Sequence, residues 1–394
     1  MSSAREAMEK SSAVSRKGGT AEKMGEEMWS PLPAHVQLWL EVSFLILAGL
    51  IMIYSSSSMM ALQRYGDSAY FLKRQMLWVF LGVSIMIVFS RVSYEKYKAW
   101  VGPLLLASLA ALVLVLIPSI GTEVNNARRW FRVGSFQLQP AEFVKVIWVI
   151  YLSVSISKKQ DRIRQFSIGY LPHVLMCAVF SALLLKQPDF GMTVILAFMT
   201  AVMLLVGGVP VLYLLSIVPI AGAAAYKFVY LVTYRWERVT AFLDPWTDHL
   251  ASGYQLIQAW IAVGSGGFWG KGLGASQQKL GYLPEAHTDF ILAVMGEEMG
   301  FVGIAFMCLA FLLLFHTGMT ISRNAPDFMG SVMALGLTLL ITVQALINMG
   351  VVLGLFPTKG LTLPFVSYGG SAFTANCLAV GILMNIARKG GRVK

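Results

Sequence analysis

The sequence predicts an all-α integral membrane protein of ten transmembrane helices, with a long extracytoplasmic loop between helices 7 and 8. Three observations carry that reading. First, 57% of the 394 residues are hydrophobic, only 13% are charged, and the mean hydropathy is +0.67. Soluble domains run at about 45–50% apolar and about 25% charged, so half the expected surface charge is missing. That excludes a soluble enzyme, a disordered protein and a secreted disulfide scaffold. Second, the apolar residues fall into runs of about 20, the length that crosses a bilayer core. Third, 31 Lys and Arg against 20 Asp and Glu give a net charge of +11. In a membrane protein such an excess points to cytoplasmic loops and anionic headgroups before nucleic acid, so no nucleic-acid partner is expected.

Taken in order, residues 1–35 are polar and mixed in charge, and read as a disordered cytoplasmic tail without a cleavable signal peptide. Spans are expected at 36–57, 70–89, 99–118, 139–157, 170–186, 188–208, 210–231, 288–317, 328–353 and 364–387. Pro188 and Pro210 mark tight turns between neighbouring spans. Residues 36–388 form one membrane domain, and 389–394 a short basic cytoplasmic tail. Ten spans put both termini on one side. With that side cytoplasmic, seventeen basic residues lie inside and thirteen outside, which agrees with the positive-inside bias. No internal repeat of the kind that builds duplicated transporters is visible. The connection 232–287 is long enough to be functional. Its Trp236, Trp246, Trp260 and Trp269 suit the membrane–water interface, so short amphipathic helices on the outer leaflet are expected there.

Cys177, Cys308 and Cys377 lie far apart in apolar runs, which predicts buried free thiols and neither a zinc site nor a disulfide. The stretch GSGGFWGKGLG fails the phosphate-loop template and reads as a flexible turn. Glu142 and Lys145 fall early in the fourth span, and Glu297 and Glu298 about two turns into the eighth. Intramembrane ionisable groups are functional candidates, although Glu142 and Lys145 also have the i,i+3 spacing of a packing ion pair. The spacings Gly296/Gly300 and Gly350/Gly354 read as helix-packing notches.

The informative cluster falls on the outer connections. YLPEAHTDF brings Glu285, His287 and Asp289 to the point where the long loop re-enters the membrane. EVNNARRWFRVGSFQLQP supplies Arg128, Arg129, Trp130 and Arg132; QPDFG supplies Gln187 and Asp189; FPTKGLTLPFVSYGGS supplies Lys359, Ser367 and Tyr368. Together they describe a cationic site for an anionic lipid headgroup with a carboxylate beside it. The chemistry that fits is transfer from a lipid pyrophosphate. Such a leaving group needs charge stabilisation more than an acid, so one carboxylate base suffices, where glycosidases need two.

RRWFRVGSFQLQPAEFVK, QPDFGM, FLDPW, LGYLPEAHTDFILAVMGEE and PTKGLTLPFVSYGGS occur in this order along the chain. In these motifs, over nearly all of 36–388, the chain resembles the SEDS family (shape, elongation, division and sporulation). The PTKG wording is similar to the cell-division branch rather than the elongation branch, with the sporulation branch close by; Phe356 before the proline is a small departure. The resemblance implies a peptidoglycan glycosyltransferase that polymerises lipid II on the outer face of the bacterial cytoplasmic membrane, at the division septum. It implies that Asp289 is the general base on the acceptor GlcNAc 4-hydroxyl. Attack on the MurNAc anomeric carbon then inverts it and releases undecaprenyl pyrophosphate. Arg129, Lys145 and Lys359 would hold pyrophosphate, while Glu142, Gln187, Asp189 and Ser367 match motif positions without individual roles. Trp130, Glu285 and His287 complete the expected binding site. Implied partners are a class B penicillin-binding protein (the septal transpeptidase) and divisome activator membrane proteins. No dedicated cofactor or protein metal site is expected; Mg²⁺ or another divalent cation would arrive with the pyrophosphate. The rivals are a lipid II flippase, an elongation or sporulation polymerase, and a non-catalytic scaffold. A flippase would use Glu142, Lys145, Glu297 and Glu298 along a path across the bilayer.

Overall fold

The computed structural model describes residues 32–391 except 125–126, 135, 218, 220–221, 224–225, 250–252 and 359. The first helix, α1 (Ala34–Tyr65), is apolar almost throughout and stops at Gly66. There a left-handed φ of 72° lets the Gly66 N–H donate to the Leu62 carbonyl, a cap that side chains rarely permit. The chain then alternates between two ends of a bundle through α2 (Tyr70–Arg91), α3 (Tyr97–Leu114), α4 (Pro140–Lys158), α5 (Leu171–Lys186) and α6 (Phe190–Val206). A short α7 (Val211–Leu215) follows, then α8 (Thr233–Leu243) and α9 (Tyr254–Gly266), and the bundle closes with α10 (Ile291–Arg323), α11 (Phe328–Val352) and α12 (Gly370–Gly390).

Among the described residues, eight helices are long and apolar enough to cross a membrane, and the 17-residue Phe190–Val206 is a shorter apolar ninth. Within the expected span 210–231, α7, helical residues at 217, 219 and 222–223 and a five-residue π-helical turn, Tyr226–Tyr230, are described, while 218, 220–221 and 224–225 lie outside the described residues. Helices α1, α2, α3 and α5 leave large apolar side chains exposed, Phe80 and Leu106 among them, whereas α4 and α12 are mostly buried. An apolar exterior around a buried pair of helices is the pattern of a multi-pass membrane protein.

One end of the bundle is tied by Tyr94, whose N–H donates to Asn385 Oδ1 and whose hydroxyl donates to Asp327, and by the Lys389–Glu95 ion pair. The other end carries every connection the sequence singled out. It also corrects the all-α expectation. Residues 121–138 form an antiparallel sheet of β1 (Gly121–Val124), β2 (Ala127–Val133) and β3 (Phe136–Leu138), in the order β1-β2-β3. Trp130, Phe131 and Val133 in RRWFRV are residue types that suit a pleated strand better than a loop. Pro140 at the first position of α4 follows the sheet at once, because its missing N–H costs a helix start nothing.

Two further corrections concern the long connection and α10. The expected helices of 232–287 exist as α8 and α9, but α9 packs on α10 through backbone contact: a Cβ on Gly266 would meet the Gly296 carbonyl at 2.0 Å. Gly296 is thus a packing notch, as expected. Gly300 is a break, with φ 67° and ψ −160° inside α10. The supposed flexible turn fills that break. Phe301 and Val302 N–H donate to the Gly267 and Phe268 carbonyls, and Lys271 and Gly272 N–H donate to those of Glu297 and Glu298. Cys177 and Cys377 are buried as expected, while Cys308 is exposed.

Candidate active site

Asp289 sits in the turn that leads into α10, and its backbone is fixed from three sides. The N–H groups of Thr288 and Phe290 both donate to the Glu285 carbonyl, curling the chain at Glu285 (φ 53°). Tyr368 N–H donates to the His287 carbonyl, the Ser367 hydroxyl to that of Thr288, and the Asn348 amide to that of Asp289 at 2.8 Å. Three successive carbonyls are therefore held by the 367–368 segment and α11. The half-buried carboxylate itself makes no hydrogen bond among the described residues. It lies against Gly360, where an added Cβ would come within 3.1 Å of Oδ2. Burial first, and the Glu285 carboxylate second, push its pKa up to about 7, with Arg238 opposing. A carboxylate so raised is matched to taking a proton near neutral pH.

Expected on this basis is an activity limb that rises with pH around a midpoint near 7, because the base works deprotonated. The sign for stability is opposite. With a folded pKa above the ordinary carboxylate value of 3.8, this group contributes stability below that value and loses it as pH rises through about 7. Initial rates and unfolding midpoints over roughly three pH units centred on about 7 test both signs.

The other expected residues divide by placement. Glu285 is exposed and accepts from the Thr288 hydroxyl at 2.7 Å. His287 joins an aromatic cluster, its ring 4.6 Å from Phe71 and 5.7 Å from Tyr368, and burial lowers its pKa, so it packs as a neutral ring. Half-buried Arg129 on β2 donates to the Gln187 and Pro188 carbonyls and holds the α5–α6 turn. Trp130 pairs with Thr122 across the sheet. Gln187 donates to the Leu112 carbonyl, and Asp189 caps α6 by accepting the Met192 N–H. Burial raises the Asp189 pKa, with Arg129 the largest opposing influence. Lys359 falls outside the described residues.

Lys145 is fully buried and contacts Glu142 at 2.5 Å, a charge contact rather than an aligned hydrogen bond, while donating to Gln344 Oε1 at 2.6 Å. The Gln344 amide passes on to the Thr362 carbonyl at 3.0 Å. One turn further along α11, Asn348 holds Leu361 and Asp289. Residues i and i+4 share a helix face, so a single stripe of α11 braces both the Glu142–Lys145 pair and the turn that carries Asp289. The sequence reading missed Gln344 and Asn348. Two amides at this spacing in an otherwise apolar helix were the available signal. It also missed Arg238 of α8, whose guanidinium lies 3.5 Å from the Thr358 carbonyl. Glu297 and Glu298 are both buried and both paired, with Lys271 and Lys279, each at 2.7 Å.

A multi-pass helical bundle that gathers the raised carboxylates of Asp289 and Asp189, an arginine-bearing sheet and a polar α11 stripe at one end defines a polar site at that end of the bundle. The chain belongs to the FtsW/RodA/SpoVE family, described as cell cycle protein, whose model matches residues 36–391. It is 48% identical to a probable peptidoglycan glycosyltransferase FtsW of Trichlorobacter lovleyi over 86% of this chain and 89% of that one. It is 42% identical to the stage V sporulation protein E of Bacillus subtilis over 87% and 94% respectively. Among solved structures it resembles a chain of a peptidoglycan synthase complex that coordinates polymerization and crosslinking (TM-score 0.73, 27% identity, 90% of this chain and 97% of that one). It also resembles the rod shape determining protein RodA of Thermus thermophilus (TM-score 0.65, 26% identity, 89% and 96%).

Proposed function

We propose that this chain is a peptidoglycan glycosyltransferase that polymerises lipid II for septal cell-wall synthesis, with Asp289 as its general base. The single observation that carries the mechanism is the Asp289 carboxylate, backbone-anchored, free of hydrogen bonds among the described residues and raised to about 7. Asp289 takes the proton from the acceptor GlcNAc 4-hydroxyl as its oxygen attacks the MurNAc anomeric carbon of the growing chain. The C–O bond to undecaprenyl pyrophosphate breaks with inversion, and the leaving group departs as an anion. Arg129 and Lys359 are the cations assigned to that anion, with Arg238 added to them by its place beside Thr358. Direct contact by Lys145 would require its ion pair with Glu142 to open. Pyrophosphate binds divalent cations readily, and any such cation is proposed to enter with it.

The relatives named probable peptidoglycan glycosyltransferase support the reaction, and the likeness to a chain of a polymerising and crosslinking complex supports a transpeptidase partner of the class B penicillin-binding type. The positive-inside bias supports cytoplasmic termini and a site on the outer face. Divisome activator proteins remain part of the proposal as partners. All four groups that a flippase would use are held in ion pairs, which favours the enzyme.

The test is polymerisation of lipid II by the purified chain with its transpeptidase, read as glycan length on gels. No polymer, with scrambling of lipid II in liposomes, overturns the proposal. Lys359→Ala is expected to slow polymerisation roughly ten- to a hundredfold while expression is unchanged, as for loss of one charge-stabilising donor. Full activity would remove Lys359 from the site.

A further inference from the structure

The two sequence features left without a task, the glycine-rich stretch and the paired glutamates, prove to be one device. Residues 291–299 form a half-helix bounded by Asp289 at one end and the Gly300 break at the other. All of them except Met299 are buried. At the break, four backbone hydrogen bonds join the half-helix and its continuation to residues 267–272. Gly270 is needed there, since at φ 81° an added Cβ would sit 2.2 Å from the Glu298 carbonyl.

Side chains reinforce the same joint. Glu297 accepts from Lys271 Nζ at 2.7 Å, from the Ser276 hydroxyl at 2.6 Å, and from the N–H groups of Gln277 and Gln278 at 3.2 Å. Lys271 also donates to Ser265 at 2.9 Å. Glu298 accepts from Lys279 Nζ at 2.7 Å and from the Ser55 hydroxyl of α1 at 2.7 Å. Adjacent residues on a helix point to different sides. The two carboxylates therefore grip the loop on one side and α1 on the other. Both ion pairs are buried at the carboxylate, where loss of a partner leaves an uncompensated charge.

We propose that residues 265–280 form a clasp that positions Asp289, with Lys271, Ser276, Glu297 and Glu298 acting as positioning residues. The half-helix transmits the clasp to the catalytic turn. It spans about 13 Å at 1.5 Å per residue, is packed on every side and has no slack of its own. A shift of about 1 Å at a reacting group costs up to about a hundredfold in rate. Loosening the clasp therefore lowers the rate of the chemical step and leaves substrate affinity alone. This inference rests on the reading of Asp289 as the base.

The test compares Lys271→Gln, Lys271→Arg and Ser276→Ala with the unaltered chain, in complex with the transpeptidase and with lipid II as substrate. Lys271→Gln is expected to lower kcat about tenfold with KM within twofold, Ser276→Ala to lower it about threefold, and Lys271→Arg to restore it. Each loss is a fraction of the roughly hundredfold ceiling for a misplaced group. Ser276→Ala removes one hydroxyl and keeps the fold available if Lys271→Gln does not survive purification. Unchanged kcat in folded Lys271→Gln and Ser276→Ala, or a rise in KM matching the loss, overturns the clasp. Asp289→Asn run alongside separates the two ideas. If it polymerises normally, the base reading fails, whatever the clasp variants do.

Discussion

Asp289→Asn should abolish measurable polymerisation while leaving the protein folded and at least as stable. General-base catalysis is worth about 10²–10⁴ in rate, and asparagine keeps the shape but cannot take the proton. The half-buried carboxylate lies at a site that disfavours its charge, first by burial and then by Glu285. A neutral amide relieves both penalties. The backbone anchors from Asn348, Ser367 and Tyr368 do not involve the side chain, so the turn should persist. The measurement is glycan yield from lipid II beside an unfolding midpoint at pH 8. Polymer at the normal rate would remove Asp289 from the chemistry. A collapsed midpoint would make it structural.

The second large effect is expected at Lys145. Lys145→Met leaves the Glu142 carboxylate buried without its cation and deprives Gln344 of a donor. Breaking a buried pair in this way costs about 3–5 kcal/mol. Because Gln344 also holds Thr362, next to the segment that anchors Asp289, activity should fall with stability. The double variant Lys145→Met/Glu142→Gln removes both charges and should recover most of the loss. The two residues touch, so their effects will not add. Unfolding midpoints and polymer yields of both singles and the double read this directly. A double variant that is stable yet inactive would show that Lys145 meets substrate after all.

Much of this was legible in the sequence. Apolar runs located eight spans, though their ends miss by as much as about two helical turns, and the motif order brought Arg129, Gln187, Asp189, Asp289 and Ser367 to one end of the bundle. Ionisable residues announce themselves in an apolar chain, which is why Glu142, Lys145, Glu297 and Glu298 drew notice. What they touch was not legible. Pairing Glu298 with Ser55 and Lys279 joins positions far apart along the chain, and no local pattern encodes it. The sheet at 121–138 was hidden because its strands are short and RRWFRV, with its basic and aromatic residues in adjacent pairs, shows no period-two alternation. The Gly300 break was hidden because an apolar helix with one glycine reads as continuous. Amides such as Asn348 look like minor blemishes on a spanning helix until the carbonyls they hold are seen.

The break in α10 also bears on how the protein meets membranes of different thickness. An unbroken helix of 33 residues would be about 50 Å long, well beyond a hydrocarbon core of about 30 Å. Split at Gly300, the lower limb, residues 301–323, is about 34 Å long and can span by itself. A span of that length needs only a modest tilt to match the core, and the bonds from Phe301 and Val302 to residues 267–268 fix where it begins. The upper limb, and Asp289 with it, is thereby relieved of matching the bilayer's thickness.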